Sequence, residues 1–190
     1  MKYANENSDK NKQYFGGVFR ECTRWIVGTQ FRNSATVGGS IFGRFGFSDI
    51  LTCMMVLDTY VELYKGGTVS LEEFAKMKYE RDILVRIIIK KDGRKAAYVS
   101  QRRSKTDFPL IAVAAAKKDD MWYLSVGARP SKAALVVRPV QTGCELSEQA
   151  REAVSQFSFG SNLRGSADYR KSLAEIYVRR LMEALNGEEA

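Results

Sequence analysis

Ala35-Thr36-Val37-Gly38-Gly39-Ser40 is the stretch of this chain best suited to chemistry. Two adjacent glycines leave consecutive backbone N–H groups open to close approach, and Thr36 and Ser40 add hydroxyl donors beside them. Such a set can cradle phosphate oxygens without a fixed cation. The string is not a P-loop, because no GK[ST] follows. Nor is it a dinucleotide fingerprint, because no strand–GxGxxG–helix unit holds it. Taken alone, a glycine pair makes a turn or a bulge as readily as a binding site.

Other chemistries are excluded by residue type. The chain has no histidine, so a Ser-His-Asp triad, a Cys-His pair and a histidine-ligated metal are all ruled out. Cys22, Cys53 and Cys144 are far apart and form no CxxC pair. They suit structural, reduced thiols rather than a disulfide framework or an iron–sulfur site. The net charge is +8. A basic balance fits an anionic cofactor, an acidic partner or nucleic acid. Arg102, Arg103 and Lys105 form one basic cluster, but no RRM, zinc-finger or helix-turn-helix signature accompanies it. A solvated face accounts for it more simply than nucleic acid does. No run of about 18 apolar residues marks a membrane span. Met1–Lys12 is polar and lacks the apolar core of a secretory signal, so the cytoplasm is the expected compartment.

The elements around the glycine pair follow from periodicity. Tyr14, Val18, Cys22, Trp25 and Ile26 recur at helical spacing, which predicts a helix over 13–27. Residues 28–47 hold Gly28, Gly38, Gly39, Gly43 and Gly46 and read as backbone in close approach to something. Ser48 and Asp49 are good helix N-cap residues ahead of the apolar run 50–57. Residues 59–64 alternate as a strand, 65–68 turn, 69–71 return, and a helical turn starts at Leu71. A second unit is expected to begin near Arg81. Its strands are read at 83–89, 96–103, 108–116, 122–128 and 135–138, with a hairpin turn at Asp119-Asp120. Helices are expected over 147–157 and 166–185. The second of these carries Tyr169, Leu173, Ile176, Tyr177, Leu181 and Ala184 on its apolar face. Sheet followed by helices predicts an α+β class.

The flanks of the glycine pair carry more. The string Val27-Gly28-Thr29-Gln30-Phe31-Arg32-Asn33-Ser34-Ala35-Thr36-Val37-Gly38-Gly39-Ser40-Ile41, with Ser48-Asp49 downstream, resembles the FAD-binding subunits of the xanthine dehydrogenase and carbon monoxide dehydrogenase family, the molybdenum hydroxylases. Further stretches resemble that family's C-terminal flavoprotein domain: Asp82-Ile83-Leu84-Val85, Arg102-Arg103-Ser104-Lys105-Thr106-Asp107-Phe108-Pro109, Gly127-Ala128-Arg129-Pro130 and Ser166-Ala167-Asp168-Tyr169-Arg170. The likeness runs from about residue 13 to 185.

The resemblance implies a fold and a set of roles. Residues 1–78 would be the second part of an FAD-binding α/β subdomain. Residues 79–190 would be a C-terminal domain with a three-stranded antiparallel sheet and a helical bundle. Thr36, Val37, Gly38, Gly39 and Ser40 would contact the FAD diphosphate. Ser48 and Asp49 would face the adenosine–ribityl side, and Leu84 would pack on the flavin side. Ser40 stands where the family commonly has asparagine. Val99 falls where some relatives carry an FAD-contacting lysine, a role that Arg102 or Lys105 could take. The family's N-terminal subdomain, with its own glycine-rich FAD turn, has no counterpart before residue 13. The implied function is electron transfer, from a molybdopterin-binding large subunit through a [2Fe–2S] small subunit to FAD, and on to NAD or another acceptor. The alternative is a non-catalytic assembly module that does not bind FAD on its own.

Overall fold

The computed structural model describes residues 9–187, so most of the polar stretch Met1–Lys12 lies outside the described residues. The helix expected over 13–27 is instead two short ones, α1 (Asp9–Phe15) and α2 (Val18–Thr23). Gly16 and Gly17 break it, with φ of 63° and 80°. Only glycine adopts that left-handed backbone without penalty, and its low helix propensity removes the incentive to continue. The glycine-rich run is not open loop. It folds as α3 (Thr29–Ser34) and α4 (Val37–Gly43), and α5 (Asp49–Met54) follows.

The strand β1 (Thr59–Leu63) pairs antiparallel with β2 (Gly67–Ser70). The chain turns straight into α6 (Leu71–Lys76), starting at Leu71 as expected, because the Ser70 hydroxyl accepts from the Glu73 N–H at 3.1 Å, and the return strand ends at Ser70, one residue short of the expected 71. The next strand, β3 (Leu84–Ile89), pairs with the other edge of β1 rather than with the strands after it. It therefore completes the first sheet, in the order β2-β1-β3, although the sequence placed it at the head of the second unit. Its partner is decided by register: Ile87 lies opposite Val61, on the side that packs into the first core.

The second sheet has four strands, not three: β4 (Lys95–Gln101), β5 (Ile111–Lys118), β6 (Met121–Gly127) and β7 (Ala134–Pro139), antiparallel in chain order. Asp119 and Asp120 turn the β5–β6 hairpin with φ of 50° and 55°, the left-handed pair that two-residue hairpins favour. Two helices follow, α7 (Leu146–Val154) and α8 (Ala167–Gly187).

Both faces of the second sheet are covered. Ala112, Ala114 and Ala116 of β5 join the core built by the first sheet and helices α2 and α5. Ile111, Val113 and Ala115 point the other way, into a core closed by α7 and α8. The strand is an unbroken buried run for that reason, as strands covered on both sides are. On α8 the buried positions are Arg170, Ala174, Val178, Leu181, Met182 and Leu185, while Tyr169 and Ile176 are exposed. The expected stripe is rotated because Arg170, not Tyr169, faces inward. Its guanidinium donates to the carbonyls of Leu110 and Ala128 and to Asn162 Oδ1, and so satisfies backbone at the sheet's edge. No helix of the described residues is long and apolar enough to cross a membrane.

Candidate functional site

Helix α5 begins where Ser48 accepts the Leu51 N–H on its hydroxyl at 3.1 Å. This cap buries Ser48 and Asp49 and fixes the direction of the Asp49 carboxylate. Oδ1 of Asp49 accepts from the Tyr98 hydroxyl of β4 and from Nη2 of Arg102, just beyond β4. Arg102 is held from two more sides, by Ser100 Oγ at 3.1 Å and by the Asp107 carbonyl at 2.5 Å. Asp107 in turn accepts from Arg164 at 2.8 Å. A chain of charge-assisted bonds thus pins the loop after β4 against the start of α5.

The electrostatics follow from that burial. Desolvation pushes the Asp49 carboxyl above its ordinary range, against the pull of the Arg102 guanidinium and the Tyr98 hydroxyl. Burial, and then the negative charge of Asp49, pushes the Tyr98 phenol well up, so Tyr98 remains a donor. At Asp107 the Arg164 guanidinium holds the carboxyl below its usual range.

A cavity of about 490 Å³ opens between α4, the start of α5 and this loop. Thr36, Gly39, Ser40, Ser48 and Asp49 border it. Its apolar wall is aromatic: Phe45 and Phe47 stack at 5.3 Å with rings 3° apart, and Phe108 lies 4.5 Å from Phe47. These three rings and Phe31 are 42–55% exposed. Gly43 is needed to make this wall, since a Cβ there would sit 2.6 Å from the Phe45 ring.

Helix α4 presents its first turn at the cavity rim. Thr36 Oγ1 takes the Gly39 N–H at 2.9 Å, which leaves the first-turn amides of Val37 and Gly38 without a carbonyl partner. A Cβ at Gly38 would meet only Leu84 Cδ2, at 3.9 Å. Ser40 Oγ lies 3.4 Å from Ser48 Oγ, so the two hydroxyls face each other across the site.

Of the eight residues singled out in the sequence, five therefore border one cavity. Val37, Gly38 and Leu84 do not border it, and Leu84 sits behind Gly38 on the β3 side. Arg102 is spent on Asp49, and Lys105 lies 5.1 Å over the Trp25 ring, so neither presents a free charge here. The aromatic wall escaped the sequence reading. Its signal was Phe45-Gly46-Phe47, two phenylalanines flanking a glycine, which form a turn closed by the Ser48 N–H donating to the Phe45 carbonyl at 3.0 Å and stack there.

Comparison with known proteins bears on both halves of the chain. Residues 5–91 match the family model described as the FAD binding domain in molybdopterin dehydrogenase. Over 185 residues the chain is 27% identical to the uncharacterised protein YgfM of Escherichia coli (strain K12), covering 95% of this chain and 71% of that one. Among solved structures, quinoline 2-oxidoreductase from Pseudomonas putida 86 superposes with a TM-score of 0.79 at 20% identity, over 97% of this chain and 72% of that chain. Carbon monoxide dehydrogenase from Hydrogenophaga pseudoflava gives 0.79 at 19% identity, over 95% and 70%. These likenesses establish the α+β fold along nearly the whole chain.

Proposed function

We propose that this chain holds FAD as the flavoprotein part of a molybdenum hydroxylase-type oxidoreductase, a reading supported by the match of residues 5–91 to the FAD binding domain in molybdopterin dehydrogenase. The observation that carries the proposal is the convergence of Thr36, Gly39, Ser40, Ser48 and Asp49 on one aromatic-walled cavity. The donor set at the start of α4 suits a diphosphate: the Thr36 and Ser40 hydroxyls and Gly39 border the cavity, and the first-turn amides of Val37 and Gly38 lie between them in the chain.

The residues divide the work. The amides of Val37 and Gly38, with the Thr36 and Ser40 hydroxyls, bind phosphate oxygens. Asp49 takes both of its donors on Oδ1, and so offers Oδ2 to a sugar or ribityl hydroxyl. Leu84 supports the glycine pair from behind. The exposed phenylalanines exclude water from a planar ring. When bound, FAD supplies the redox chemistry, while the protein supplies binding and orientation. Electrons arrive from a [2Fe–2S] partner subunit fed by a molybdopterin-binding large subunit, and leave to NAD or another acceptor. We place the assembly in the cytoplasm. Residues 1–78 and 79–190 are the proposed units, with β3 docked onto the first.

One observation favours the second reading, a non-catalytic assembly module. Among the described residues the one guanidinium bordering the cavity, that of Arg102, is already paired with Asp49, so it does not meet the diphosphate as a free cation. Titration of FAD into the full chain decides between them. Saturable quenching of flavin fluorescence is expected, and Gly39→Val should abolish it, because a Cβ there comes within 3.0 Å of the Thr36 cap. Each phosphate hydrogen bond lost costs roughly 1.5–3 kcal/mol. Absence of saturable binding in the unaltered chain would favour the assembly module.

A further inference from the structure

We propose that a second cavity, on the far side of α4, binds a small molecule bearing a phosphate or diphosphate group. The cavity holds about 790 Å³ between the C-terminal end of α4, helix α6 and the loop joining β6 to β7. It shares Phe45 with the site assigned to FAD, which lies at the opposite end of α4. Four cations border it, Arg44, Lys76, Arg129 and Lys132, and three of them, all but Lys76, lie apart from its one carboxylate pair. Among the described residues none of the three forms an ion pair. The one carboxylate on the wall, Glu72, is taken by Lys76 at 2.6 Å.

These three are held by dipoles alone. Arg44 is 3% exposed and sits between the Phe74 and Tyr79 rings, 4.5 and 4.1 Å from their centroids. Its Nη1 donates to the carbonyls of Phe74 and Met77, but its Nε is buried with no partner. Arg129 donates to the carbonyls of Val126, Ser158 and Lys132, and burial lowers its basicity. Lys132 Nζ donates to the Ala75 carbonyl at 3.2 Å and lies 5.8 Å from the centroid of the Tyr79 ring. Carbonyl dipoles satisfy hydrogen bonds but do not neutralise charge. Gathering several positive charges with no counter-ion is unfavourable, and a bound anion relieves it.

Phosphate is the anion whose geometry suits this set, because guanidinium and ammonium donors can engage its several oxygens together. The volume falls within the range of about 300–1,000 Å³ found for small-molecule sites, so the group can arrive free or as an organic ester. Tyr79 and Phe45, 60% and 55% exposed at the rim, offer rings to such an ester.

The test is calorimetric titration of inorganic pyrophosphate and of ADP into the full chain at constant ionic strength. Saturable binding is expected. Lys132→Gln should weaken it roughly tenfold, the loss of one charge-assisted bond. Ser131→Asp, which adds a carboxylate at an exposed position on the wall, should weaken it at least as much. Because ADP and pyrophosphate are also fragments of FAD, all the titrations use the Gly39→Val chain, in which the cradle at the start of α4 is filled. Both 131 and 132 variants keep the buried arginines, and circular dichroism verifies their fold. Tighter binding of ADP than of pyrophosphate supports an organic ester as the natural ligand, and equal binding supports free diphosphate. Two results would overturn the proposal: no saturable binding of either probe to the Gly39→Val chain, or unchanged affinity when Lys132→Gln and Ser131→Asp are each added to it.

Discussion

Removing the Asp49 carboxylate would strand the Arg102 guanidinium, whose side chain is only 8% exposed. A buried charge that loses its partner typically costs about 3–5 kcal/mol. Asp49→Ala should lower the stability measured by urea unfolding by that order. Adding Arg102→Met should recover part of the loss, because no unpaired charge then remains. Strict additivity of the two changes would show that the pair is not coupled. Asp82 offers a pH-dependent counterpart at the β1–β2 turn. Its carboxylate accepts from the amides of Lys65, Gly66 and Ile83, at 2.9, 2.9 and 2.7 Å. These bonds, that of Lys65 foremost, hold its carboxyl below the ordinary range. Stability from Asp82 is therefore fully present above the unfolded-state value of about 3.9 and fades as pH falls through the lower folded one. Asp82→Asn should destabilise the protein at pH 7 and converge with the unaltered chain in strong acid. A gap that stays constant with pH would assign the effect to shape rather than charge. Asp49 was legible in the sequence as an N-cap neighbour. Its partners were not, since Tyr98 and Arg102 lie far along the chain and only tertiary pairing brings them near.

Helix α5 meets the second sheet through a very close contact. A Cβ on Gly127 of β6 would lie 2.2 Å from Thr52 Oγ1 and 3.5 Å from the Ala133 Cβ. Gly127→Ala should therefore destabilise by roughly 1–3 kcal/mol, the usual cost of overpacking. Thr52→Ala removes the obstructing hydroxyl, so the double variant should unfold at higher urea than Gly127→Ala alone. A double variant less stable than Gly127→Ala would place the strain elsewhere. Elements with a strong local signal were readable from the sequence: the hairpin at Asp119-Asp120, strands β4 to β7 and the final helix. Elements decided by competition between local and long-range terms were not. Gly16 and Gly17 outweighed the helical spacing of 13–27, whereas the Thr36 hydroxyl was enough to start a helix at Val37 despite two glycines in its first turn. The partner of β3 depended on which sheet had an open edge, and periodicity carries no such information.

At the scale of the molecule, the two cores are divided by one sheet and share its strands. Cutting the chain between residues 78 and 79 would strip β3 from β1 and expose Ala112, Ala114 and Ala116 along one face of β5. Neither piece should show a cooperative thermal transition alone, and mixing them should restore one. A cooperative melt of 79–190 in isolation would contradict this. The candidate site was half legible for the same reason. Its polar rim is local in sequence, from Thr36 to Asp49, but its far wall arrives from Arg102 to Phe108, across the second sheet. Strand β5 is where these halves meet, and its alanines keep both cores close to it. Enlarging Ala112 or Ala114 presses into the core shared with the first sheet, while enlarging Ala115 presses toward the helical side. One strand therefore gives an experimenter two independent dials, for the core shared with the first sheet and for docking of the terminal helices, set by whether an even or an odd position is changed.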